Sequence, residues 1–66
     1  MLGTRLKELR EEKKMTQKQC SAIFHLNPVT YLHYEKDQRV PPLSLIVEFA
    51  NYYDVTVDYL LGRTDY

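Results

Sequence analysis

Leu2, Leu6 and Leu9 recur at i, i+4 and i+7 among charged residues. That spacing predicts a first helix, running to about Lys14, that buries one narrow leucine stripe. Thr16-Gln17-Lys18-Gln19 then fits a capping box, in which a Thr hydroxyl accepts the third backbone N–H and a Gln amide reaches back. The second helix runs from there to about Phe24, with Cys20 and Phe24 on one face. Asn27-Pro28 marks a third start, because Asn is a strong N-cap and Pro at the first helical position has lost only an N–H that was unpaired anyway. With just His25 and Leu26 left between Phe24 and Asn27, the second and third helices meet through a tight turn.

The third helix is expected over Pro28 to about Lys36, with Tyr31 and Tyr34 inward, ended by Asp37-Gln38-Arg39 and Pro41-Pro42. Pro42 opens a fourth helix, whose stripe of Leu43, Ile46, Val47, Ala50 and Tyr53 makes it the central core helix. Thr56, with Asp58 two residues on, reads as the cap and first turn of a short fifth helix stopped by Gly62. No alternation suited to a hairpin persists, so the expected fold class is all-α with five helices.

Composition narrows the function classes. The 66 residues are expected to form one domain, 1–66, and the 18 Leu, Ile, Val and Phe are enough for a small core. A single cysteine, Cys20, excludes an internal disulfide framework and a Cys-only zinc site, which points to a reducing, cytoplasmic setting. No apolar run approaches a membrane span, and Arg5, Lys7 and Glu8 stand where a signal peptide needs its apolar stretch. Cys20, His25 and His33 match no common zinc spacing, and Gly3 and Gly62, the only glycines, build no phosphate loop. Glu8, Glu11 and Glu12 alternate with Arg10, Lys13 and Lys14 as surface charge pairs, not as a general acid and base. Neither catalysis nor a cofactor or metal is expected.

The zero net charge hides an asymmetry. Residues 1–39 carry eight Lys/Arg against five acids, and residues 40–66 carry Arg63 against Glu48, Asp54, Asp58 and Asp65. Halves of opposite sign suggest one face for a polyanion and another for something else.

Five short helices with a tight turn between the second and third make a helix-turn-helix unit. The Thr16-Gln17 pair, the Tyr34-Glu35 pair, Pro41, and the closing Val57-Asp58-Tyr59-Leu60-Leu61-Gly62 stand in an order and spacing that resembles the DNA-binding domain of the phage repressor and Cro type, also called Xre-like. The resemblance runs from Leu6 to Asp65 and implies a compact five-helix domain that binds double-stranded DNA and regulates transcription, expected to act by repression and as a homodimer. It implies a partly buried ion pair of Arg10 with Glu35, base-edge positions at Gln17, Pro28, Val29 and His33, and phosphate-facing positions at Asn27, Thr30, Lys36 and Arg39. It also implies a dimer surface on the fifth helix and the tail from Tyr59 to Tyr66, in a bacterial or phage-encoded protein. No small-molecule effector is expected.

Some positions depart from that pattern. Pro28 and Val29 replace polar residues and suit only a thymine methyl, so of the three sites Pro28, Val29 and His33 only His33 keeps a hydrogen-bonding group. His25 stands where Gly is usual, at a position that wants a positive φ, and Ser21 replaces a small Ala, burying a hydroxyl that can bond within its own helix. Ile23, Val29, Leu32 and Leu45 sit at positions usually polar; gathered into an exposed patch, they would favour the alternative, a protein-interaction module such as an antirepressor on the same scaffold.

Overall fold

The computed structural model describes residues 2–64. They form α1 (Leu2–Glu12), α2 (Gln17–Ile23), α3 (Pro28–Glu35), α4 (Leu43–Tyr53) and α5 (Val57–Leu60), with no strand among the described residues. The fold is the five-helix one expected from the sequence. The first helix stops at Glu12, earlier than its leucine period suggests.

Side-chain caps fix the starts of three helices. Thr16 Oγ1 accepts the Gln19 N–H (3.0 Å) while Gln19 Oε1 accepts the Thr16 N–H (2.9 Å), completing the capping box. Asn27 Oδ1 accepts the Val29 N–H at 2.8 Å, and Thr56 Oγ1 accepts the Tyr59 N–H at 2.9 Å. At α4, Pro42 is the residue before the helix and caps it only with its carbonyl, which accepts from Leu45 and Ile46.

The helix ends share one backbone device. Lys14, His25, Asp37, Asp54 and Gly62 all have positive φ, between 55° and 77°. Each lies just past a helix and turns the chain so that its own N–H and the next return to carbonyls of the last turn, as in Leu26 N–H to Ser21 O at 2.8 Å. This is the Schellman closure. Among the described residues it occurs five times, and only once on glycine. His25, with φ 58°, is as expected from the two-residue link.

The core gathers Leu6, Cys20, Tyr31, Phe49 and Leu60, all fully buried. Phe24 meets Phe49 edge to face with centroids 4.6 Å apart, and Tyr31 meets Phe49 at 6.3 Å. One expectation needs correction here. On α4 the buried side chains are Leu45, Ile46, Phe49, Ala50 and Tyr53, while Leu43 is 67 % exposed and Val47 also faces outward. The buried stripe is thus rotated by roughly 60° from the Leu43-Val47 reading, at about 100° per residue. Whether Ile23, Val29, Leu32 and Leu45 gather into an exposed patch, open in the sequence, is answered by burial: Leu45 is buried at 7 % exposure and Leu32 is half-buried, leaving only Ile23 and Val29 of the four exposed. Ser21 is buried, with its hydroxyl donating to Lys18 O within α2 at 2.9 Å.

α1 closes over α3 at Gly3, whose α-hydrogen side rests on the main chain at the end of α3. The Gly3 N–H donates to Asp37 Oδ1 at 2.9 Å, so the start of one helix is tied to the end of the other.

Candidate nucleic-acid interface

α3 is short, and its orientation depends on what its last residue holds. Glu35 is buried, and Arg10 of α1 grips it through Nε to Oε2 at 2.7 Å and Nη2 to Oε1 at 3.2 Å. The side chains are 10 % and 2 % exposed, so the pair is more deeply buried than expected. A third nitrogen of Arg10, Nη1, donates to Met15 O at 2.7 Å and fixes the loop before α2. Burial alone would push the Glu35 carboxyl up; hydrogen bonds from Arg10 and Gln17 and the positive charge of Arg10 outweigh it and hold the group below the ordinary carboxylate value.

Gln17 joins this cluster. Its Nε2 donates to Glu35 Oε1 at 3.1 Å, so one carboxylate ties α1, α2 and α3 together. The family resemblance implies the pairing of Arg10 with Glu35 but gives no sign of the bond from Gln17. Behind Glu35 lies the Tyr31 hydroxyl, fully buried and without hydrogen-bond geometry to any described residue. Burial, with Cys20 and Glu35 close by, holds it far above the ordinary phenol value. The Cys20 thiol and the Tyr53 hydroxyl meet at 3.1 Å in the same buried region. Among the described residues no group of three His, Cys, Asp or Glu is placed to hold a metal ion.

With Tyr31, Tyr34 and Glu35 inward, α3 presents Pro28, Val29, Leu32, His33 and Lys36 on its outer side. Val29 is 59 % exposed, and His33, four residues on, shares its face. Thr30 is half-buried at the flank. Lys36 is the C-cap residue, and it and Arg39 are exposed in the segment that follows. Asn27 is exposed, and its side-chain oxygen is committed to the Val29 N–H. The structure therefore places Pro28, Val29, His33 and Lys36 on one helix surface, with Asn27 and Thr30 beside them. Gln17 is half-buried on the neighbouring helix. Leu32, missing from the base-edge set read from the sequence, belongs to the same outer surface; the helical period counted from Pro28 points to it.

At the other end of the domain Arg5 stacks over the Tyr59 ring, 4.2 Å from its centroid, packing α5 on α1. Leu61 is exposed beyond it. Asp65 and Tyr66, part of the expected dimer surface, lie outside the described residues.

A family model described as helix-turn-helix matches residues 6–60. Among curated proteins of Bacillus subtilis (strain 168), the chain is 41 % identical to the HTH-type transcriptional regulator YobD over 65 residues, covering 98 % of this chain and 58 % of that protein. It is 36 % identical to the HTH-type transcriptional regulator ImmR over 64 residues, covering 97 % and 50 %. The HTH-type transcriptional regulator AnsR is 36 % identical over 59 residues, covering 89 % and 51 %. The chain spans about half the length of these relatives. With the capped α2 and α3 joined through His25, and a family match over most of its length, the chain belongs to the helix-turn-helix family, of the Xre-like type that its motifs resemble.

Proposed function

We propose that residues 1–66 form a single domain that binds double-stranded DNA in a sequence-specific way and regulates transcription by repression, with α3 in the major groove. The observation that carries this reading is the outer surface of α3, Pro28, Val29, Leu32, His33 and Lys36, on a helix clamped to its scaffold by Arg10 and Glu35. The HTH-type transcriptional regulators it is similar to support it.

In this reading His33 offers hydrogen bonds to a base edge, Val29 and Pro28 offer apolar surface to a thymine methyl, and Gln17 reaches a base from α2. Lys36, Arg39, Thr30 and the Asn27 amide meet phosphates, which set register without carrying sequence. One reading helix covers few base pairs, so two copies on a two-part operator supply the remaining affinity, joined through α5 and the tail. The site of action is the bacterial cytoplasm, where the operator resides.

The test is selection from random duplex DNA at two salt concentrations. A recovered motif with two half-sites about one helical turn apart is expected. A second reading, a protein-interaction module, is favoured by the exposure of Val40 at 83 % and Leu43 at 67 %. A selection that returns no preferred sequence, with binding gone at physiological salt, would replace the first reading by the second.

A further inference from the structure

We propose that Glu35 is a positioning residue for DNA reading: it fixes the polarity of the Gln17 amide so that Gln17 presents one acceptor and one donor, the complement of adenine. This rests on the DNA-binding reading above and names a base for one contact within it.

An exposed Gln side chain presents its oxygen or its nitrogen to a given neighbour with little preference. At Gln17 that freedom is gone. An ionised carboxylate is acceptor only, so it takes the amide by its nitrogen; the flipped amide would set oxygen against oxygen. The carboxylate itself cannot turn away, because Arg10 holds both of its oxygens while Arg10 is braced on Met15 O. The backbone of Gln17 is held equally well, since it opens α2 directly after the Thr16-Gln19 capping box.

Once Nε2 has given one hydrogen to Glu35, Gln17 keeps its carbonyl oxygen and one N–H for a ligand. Adenine displays a donor at N6 and an acceptor at N7 in the major groove, which this pair satisfies. Guanine displays two acceptors there and would face the Gln17 oxygen with its own O6. A phosphate, all acceptor, would use the single N–H and leave the oxygen unmatched.

The experiment uses the duplex recovered by selection, with the full chain and two variants, each checked to be folded at the assay temperature. Gln17→Met removes the amide and leaves the Arg10–Glu35 pair intact. Glu35→Asp keeps a carboxylate for Arg10 but is one methylene shorter toward Gln17. Gln17→Met should lose about tenfold in preference for adenine over guanine at one operator position, and 7-deazaadenine there should weaken the wild type similarly and leave the variant unaffected. Glu35→Asp should lose most of the same preference, the double variant should be no worse than Gln17→Met, and the dependence of affinity on salt should not change.

Full adenine preference in Glu35→Asp would overturn the positioning role. Gln17→Met that keeps every base preference, or that flattens the log affinity against log salt slope by about 0.9, would replace the adenine contact with none or with a phosphate. In either case the wild type still selects an operator, which separates failure of this proposal from failure of the DNA-binding reading, where the wild type selects nothing and both fall.

Discussion

Gly3 and Glu35 touch through their main chains, the former at the start of α1 and the latter at the end of α3. A Cβ on Gly3 would overlap the Glu35 carbonyl and lie 2.6 Å from the Tyr34 carbonyl oxygen. Neither carbonyl can yield, because α3 is held by Arg10. Gly3→Ala should therefore lower stability by about 1–3 kcal/mol through overpacking, even though Ala favours a helix interior over Gly by roughly 0.5–1 kcal/mol. Urea melts would show it, and a stabilised variant would mean that the helices separate at no cost.

The Arg10–Glu35 pair gives a larger effect. Glu35→Ala strands a buried guanidinium and should cost about 3 kcal/mol, near the lower end for buried pairs. In a domain of this size, whose total stability is on the order of 3–10 kcal/mol, that leaves a substantial unfolded fraction. Calorimetry showing an unchanged melting temperature would contradict the buried geometry.

The same carboxyl sets part of the acid response. Its folded pKa lies below the ordinary 4.5, so its contribution is fully present above that value and is lost as pH falls through the folded one. Below about pH 4.5 the wild type should lose stability more steeply than Glu35→Gln, which is less stable at pH 7 but has no carboxyl to protonate there. Parallel acid melts of the two proteins would rule this out.

Tyr31 gives a prediction whose sign is informative. Its hydroxyl is buried without a hydrogen bond, a state that costs roughly 1–3 kcal/mol. Tyr31→Phe should therefore be neutral or stabilising by up to about 1 kcal/mol. A loss of that size would show that the hydroxyl bonds Glu35 or Cys20 in solution.

If Lys36 and Arg39 face phosphates, replacing either by Ala should weaken binding to selected and random duplexes alike and flatten the salt slope by roughly 0.9 for each lost contact. His33→Ala should leave the slope and cost about 1–3 kcal/mol of preference at one base pair. Titrations at three salt concentrations separate the two outcomes; identical behaviour of all three variants would dissolve the distinction.

The elements that local chemistry determines were legible in the sequence. Thr16 with Gln19, Asn27 with Pro28, and Thr56 each announce a helix start within four residues of chain, and each cap forms. His25 was legible because a two-residue link demands the left-handed region. The burial of α4 was not, for it is apolar nearly all round: Leu43, Leu45, Ile46, Val47, Phe49, Ala50, Tyr52 and Tyr53 offer two overlapping stripes. Which stripe turns inward depends on the helices packed against it, and Leu45 with Phe49 prevail over Leu43 with Val47. Resemblance alone supplied the Arg10–Glu35 pair. The Gln17 bond to Glu35 and the Gly3 contact join residues 18 and 32 positions apart, beyond the reach of any local pattern.

Glycine at the left-handed helix ends would relieve strain, so His25→Gly, Lys14→Gly and Asp54→Gly should each leave stability unchanged or raise it by up to about 1 kcal/mol, as measured by thermal melts. Asp37 differs. It terminates α3 with φ 57° and, from that contorted backbone, its carboxylate receives the Gly3 N–H. Glycine there would ease the turn and discard the latch, two opposite consequences at one position. The stop signal of one helix is thereby the doorstop of another, and a residue that local propensity marks as a misfit adds its own tie between the first helix and the third.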